Sequence, residues 1–134
     1  MSTGKPLLIA GDEPEMYPDE HREIVLDILQ DYLQSNPARL RRKDVIEDIL
    51  KANQPKGEPK RRQRLISVVL SGYKTMKPSI ERALKDLGIQ LVFNSKHWKL
   101  RFGGDIRYKT VLPCSGSDRR GGVNAASDIK RDFF

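Results

Sequence analysis

His97, Lys99 and Arg101 stand two residues apart, and at that spacing their side chains leave the same side of an extended chain. A neutral imidazole can take a proton from a hydroxyl near pH 7, and cations beside it can stabilise the negative charge that then develops on phosphorus. Arg107 and Lys109 repeat the spacing beyond Gly103-Gly104-Asp105, so a hairpin turn there would set them opposite the first group. Five such groups on one sheet face repel one another unless counter-ions are present, and a phosphate backbone provides them. The competing reading is a solvated outer face of an antiparallel sheet, which is commonly polar. Few acids accompany these bases, and that favours binding.

A second cluster follows. Ser115-Gly-Ser-Asp-Arg-Arg-Gly-Gly122 precedes a short terminal helix. Glycines permit close backbone approach, and a helix N-terminus favours phosphate. Ser115 and Ser117 offer hydroxyls, Arg119 and Arg120 offer bidentate contacts, and Gly121 and Gly122 offer bare backbone. The run is neither a Walker A loop nor a dinucleotide fingerprint. An ordinary polar turn feeding a helix is the alternative. Together the two clusters give Lys96, Lys99, Arg101, Arg107, Lys109, Ser115, Ser117, Arg119, Arg120, Gly121 and Gly122 as candidate contacts to nucleic acid.

His97 has two readings of its own. It is a general base acting on a ribose 2′-OH, or it contacts phosphate or solvent. Lys96 and Lys99 beside it are expected to lower its pKa and keep it neutral. No metal is expected, because one cysteine, two distant histidines and scattered acids give no ligand set. No other cofactor is expected either. Cys114, the single cysteine, allows no intrachain disulfide and suits a reducing cytoplasm.

Composition agrees with an anionic partner. The 134 residues carry a net charge of +7. The charge is uneven: residues 1–35 hold 2 Lys or Arg against 8 Asp or Glu, a net of −6, so the remainder holds 23 against 10, a net of +13. The acidic segment is either a solvated arm or a strand of charge that folds back on the basic body and weakens its binding. No apolar run approaches the roughly 20 residues that span a bilayer, and the opening Pro6-Leu-Leu-Ile-Ala10 patch, followed at once by acids, is a poor signal peptide. No membrane partner is expected.

These residues need elements to hold them. Residues 1–18, broken by glycines and prolines, read as a flexible leader. Apolar pairs at four-residue steps mark a helix from Asp19 to about Ser35, with Pro37 disfavouring its extension. A second helix is expected over Lys43–Ala52 and a third over Pro59–Ser71, its first turns carrying Lys60, Arg61, Arg62 and Arg64. Pro78 opens a fourth and Gly88 ends it. The period then changes. Ile89, Leu91 and Phe93 alternate as a strand. Trp98, Leu100 and Phe102 alternate against His97, Lys99 and Arg101 as a second, and Ile106, Tyr108, Thr110 and Leu112 continue a third. Asn124 is the expected N-cap of a helix through Phe133. The fold class is α+β. A helical domain over 19–72 precedes an α-β-β-β-α module over 76–134 with a three-stranded antiparallel sheet, and the boundary is placed near Gly72–Lys77.

That module, from Ile80 to Phe134, resembles the HicA-like toxin fold, a small version of the double-stranded-RNA-binding fold. Ala83-Leu-Lys-Asp-Leu-Gly-Ile89 matches its first helix and glycine stop. Ser95-Lys96-His97 stands where the family carries Gly-Ser-His opening the second strand, with two of the three positions changed. Gly104-Asp-Ile-Arg-Tyr108 matches the hairpin turn. The resemblance implies RNA as ligand, His97 as the residue of a metal-free ribonuclease, and a toxin–antitoxin setting. The expected function is nucleic-acid binding, RNA over DNA, with cleavage left open. The alternative is a non-catalytic interaction protein that docks a protein partner through its helical part, in a defence or counter-defence system.

Overall fold

The computed structural model describes residues 6–36, 40–114 and 120–134. Among them the periodicities become five helices and one sheet: α1 (Glu20–Ser35), α2 (Arg41–Ala52), α3 (Glu58–Val69), α4 (Pro78–Asp86), β1 (Ile89–Phe93), β2 (His97–Phe102), β3 (Lys109–Pro113) and α5 (Gly121–Asp132). The protein is thus α+β, with helices before an antiparallel sheet of order β1-β2-β3 and a helix after it. No helix among the described residues is long and apolar enough to cross a membrane.

The chain divides into two compact units, Met1–Pro59 and Lys60–Phe134. The boundary therefore lies before most of α3 and not at Gly72–Lys77. The reason is what α3 bonds to. Ile66 and Leu70 are buried in the second unit's core. The buried Arg62 donates from Nη1 to the Leu87 carbonyl (3.2 Å) and lies over the Phe134 ring (5.7 Å). Gln63 reaches the carbonyls of Lys130 and Phe134, both at 3.2 Å. Composition around Gly72 marks a turn, but a turn is a domain boundary only where few contacts cross it.

In the first unit, residues 6–15 form neither helix nor strand, and Leu7, Leu8 and Ile9 are exposed. The acids nearest α1 are structural. Glu20 Oε1 accepts the Met16 N–H (2.8 Å), while Glu15 Oε2 accepts the Glu20 N–H (2.8 Å), so two donors at the helix start are satisfied reciprocally. Glu23 is 1% exposed. Its Oε1 accepts the N–H groups of Lys56 (2.9 Å) and Glu58 (3.2 Å), and its Oε2 pairs with Arg22 Nη1 (2.7 Å). Part of the acidic segment is therefore used inside its own unit. α1 and α2 pack together, yet only Leu26 of their apolar residues is deeply buried.

The second unit has the continuous core. Leu84, Leu87, Ile89, Leu100, Phe102, Leu112, Ala125, Ala126, Ile129 and Phe133 are buried in it. α4 packs on β1 and α5 on β3. Phe102 stacks on Phe133 with centroids 5.6 Å apart, and Thr110 Oγ1 bonds Asp128 Oδ2 on α5 (3.0 Å). Even-numbered β2 residues thus face these helices, and the odd-numbered ones face away.

The third strand is shorter than expected. It starts at Lys109, and Ile106, Arg107 and Tyr108 belong to the connection. Gly103 (φ 60°) and Gly104 (φ 74°) turn the chain left-handed. Asp105 then folds the next residues back: its Oδ1 accepts the Arg107 N–H (2.9 Å) while its carbonyl accepts the Tyr108 N–H (3.2 Å). An Asx turn of this kind competes with ladder pairing and wins here.

Candidate nucleic-acid interface

The strand register brings the basic residues together on the sheet's outer face. Arg101 lies between Gln90 and Lys109, Lys99 between Val92 and Val111, and His97 beside Pro113. The face therefore carries three permanent cations, one imidazole and no carboxylate. Lys99, Lys109 and His97 are exposed and Arg101 is half-buried; Lys96 is exposed in the β1–β2 turn. Among the described residues, neither Lys96, Lys99, Arg101 nor Lys109 is ion-paired, whereas Lys85, Arg107 and Arg131 have carboxylates within 3.2 Å. Like charges directly opposite, as Arg101 and Lys109 are, destabilise a strand pair. Among the described residues the sheet keeps them there without an internal counter-ion.

The turn that presents this face is built locally. Asn94 N–H donates to the His97 carbonyl (2.9 Å), and Asn94 Oδ1 accepts the N–H groups of Lys96 (3.0 Å) and His97 (2.7 Å). The backbone that aims Lys96 and His97 is thus fixed by one carboxamide. No hydrogen-bonding side chain orients the His97 ring among the described residues.

Arg107 is not on this face. It sits in the connection, where its Nη2 reaches Asp105 Oδ2 at 2.7 Å and its guanidinium lies over the Tyr108 ring at 5.0 Å. The side-chain and backbone hydrogen bonds from Arg107 hold the Asp105 carboxyl below its usual range. Arg107 is therefore set apart from the cations it was expected to join.

The glycines of the second cluster also have a different use. Ser115, Ser117 and Arg119 lie outside the described residues. Arg120 is exposed at the N-cap position of α5, so the helix starts before Asn124, whose N–H bonds the Arg120 carbonyl (2.8 Å). Gly121 and Gly122 are buried in its first turn. A Cβ on Gly121 would come within 2.6 Å of Pro113 Cδ, and one on Gly122 within 2.8 Å of the Tyr73 Cβ. Tyr73 is itself fixed, its hydroxyl donating to the Pro113 carbonyl at 2.7 Å, and burial followed by the nearby Cys114 raises its pKa. Close packing of α5 against β3 and the turn after α3 accounts for both glycines.

A prediction follows from this packing. An alanine in a helix is ordinarily favoured over glycine by roughly 0.5–1 kcal/mol. Gly121→Ala is expected instead to cost about 2 kcal/mol, because the proline ring it meets cannot rotate away. Denaturant unfolding of the purified variant checks the sign, and a gain in stability would refute the packing role.

No protein-family model, curated protein sequence or solved structure matches the chain.

Proposed function

We propose that the protein binds nucleic acid, RNA in preference to DNA, through the outer face of its sheet. The observation that carries this is the row of cations Lys99, Arg101 and Lys109 on a face without a carboxylate. Lys96 and His97 extend the face at one end, and Arg120 is an exposed cation elsewhere in the same unit. Phosphate contacts of this type release counter-ions, and they position a nucleic acid without reading its sequence. RNA is favoured by the resemblance of residues 80–134 to the HicA-like fold, although the second unit carries most of α3 in addition to the α-β-β-β-α order of that family.

The test is a salt titration of affinity for a single-stranded RNA. Three phosphate contacts predict a slope of log K against log salt of about −2, at roughly −0.7 per contact. A slope near zero would remove the proposal. Cleavage is a further step that the geometry supports less, since a general base needs an orienting partner and none touches His97 among the described residues. A metal-free ribonuclease assay with His97→Ala as control decides it. Activity equal in the two proteins would exclude His97 as the catalytic group.

One observation favours a second role for the first unit. Val25, Ile28 and Val45 are exposed on α1 and α2, and no residue of α2 is buried. A helical surface of that kind fits a protein partner.

A further inference from the structure

The β1–β2 hairpin, residues 89–102, contains no Asp or Glu and carries Lys96, Lys99, Arg101 and His97. At its tip, on the face opposite the cations, Phe93 pairs with Trp98 across the strands, centroids 4.9 Å apart and planes 55° apart. An aromatic pair of this register would belong to the core if the helices covered it. They do not reach it: Phe93 is 58% exposed and Trp98 is half-buried, while Leu100 and Phe102, further along the same face, are fully covered. Lys96 lies in the turn directly between the two rings' strands.

From this arrangement we infer that the Phe93–Trp98 pair is a stacking platform for an unpaired base, so that the ligand is single-stranded nucleic acid or an exposed loop. The inference rests on the nucleic-acid reading above and narrows its ligand. Charge selects the occupant: a tip flanked by cations and devoid of carboxylates suits a polyanion better than an apolar protein surface. Aromatic chemistry selects the strandedness. Bases in a duplex are already stacked on one another, whereas an unpaired base has a free π-face to offer a ring. Geometry agrees. The phosphate contacts and the rings lie on opposite faces of a sheet one layer thick, so a ligand serving both must bend around the hairpin tip. A duplex, stiff over about 150 base pairs, does not make that bend without a large deformation cost, and a single strand does.

Trp98 is the only tryptophan, so its emission reports on this site alone. The experiment titrates the full chain at low salt with a ten-nucleotide uridine-rich RNA and with an RNA duplex of the same length, following Trp98 emission and affinity together. Stacking predicts quenching by the single strand and not by the duplex. It also predicts a loss of about tenfold in single-strand affinity in Phe93→Ala, with Phe93→Tyr restoring the affinity, since it keeps the ring. Equal binding of both ligands with Trp98 emission unchanged and Phe93→Ala neutral would overturn the platform and leave the phosphate contacts standing. Failure of both ligands to bind at low salt would overturn the platform and the nucleic-acid reading together.

Discussion

Lys109→Glu is expected to move binding and stability in opposite directions. Lys109 faces Arg101 directly across β2 and β3, and among the described residues no carboxylate shares that face. Reversing its charge converts a repelling cross-strand pair into an attracting one, worth roughly 0.2–1 kcal/mol to the sheet. The same change removes one phosphate contact and adds a repulsion against every remaining phosphate. Single-strand affinity near 0.1 M salt should fall by about tenfold, and by about a hundredfold in Lys99→Glu/Lys109→Glu, with a shallower salt slope in each. Anisotropy with a labelled RNA measures the first effect and thermal unfolding the second. Lys109→Gln separates them, since it relieves the repulsion without creating an ion pair. A residue placed only for solubility would show the stability gain with no loss of affinity, and that outcome would defeat the interface. The contrast has a general basis: a surface that holds like charges together at a cost to its own fold is adapted to something outside the fold.

The cationic face was legible because a strand's period is two. Once Trp98, Leu100 and Phe102 are read as inward, His97, Lys99 and Arg101 have only one direction left, and β2 obeys this. The same rule misplaced Arg107. Alternation runs on through Ile106 and Tyr108 in the sequence, but the Asp105 side chain offers the backbone a local partner and the ladder begins only at Lys109. A short-range hydrogen bond outranked a hydrophobic pattern only two residues long. Gly121 and Gly122 show the limit of local reading more sharply. Their freedom of φ suggested a phosphate loop, while their actual constraint is the absence of a Cβ where Pro113 and Tyr73 come close. Those neighbours are 8 and 49 residues away in sequence, and nothing near the glycines encodes them. The position of α3 was hidden for the same reason: its helical period is visible, but the carbonyls that Arg62 and Gln63 bond belong to α4's end and the chain terminus. The exposure of Phe93 is likewise a property of where the covering helices stop, not of β1 itself.

Glu23→Ala should be the most destabilising single change in the first unit. A carboxylate 1% exposed is tolerated only when its oxygens are satisfied, and this one accepts three hydrogen bonds. Two come from backbone N–H groups of Lys56 and Glu58, on either side of Gly57, whose φ of 75° turns the chain into α3. The third comes from Arg22, which also donates to the Gln54 carbonyl at 3.0 Å. The pair Arg22–Glu23 thus holds the 54–58 connection against α1. Alanine leaves both N–H groups without that acceptor and Arg22 without its partner. Hydrogen bonds to a charged group contribute about 1.5–3 kcal/mol each, and the two backbone N–H groups lose theirs, whereas the Arg22 side chain, 38% exposed, keeps its access to water. A loss of about 3 kcal/mol or more is therefore expected in denaturant unfolding, with faster amide exchange at Lys56 and Glu58. Glu23→Gln should lose about half as much, because a carboxamide oxygen still accepts both N–H groups while its NH2 faces the Arg22 guanidinium. If alanine and glutamine were equally mild, the connection would be held by its own backbone, and the buried acid would have no structural task.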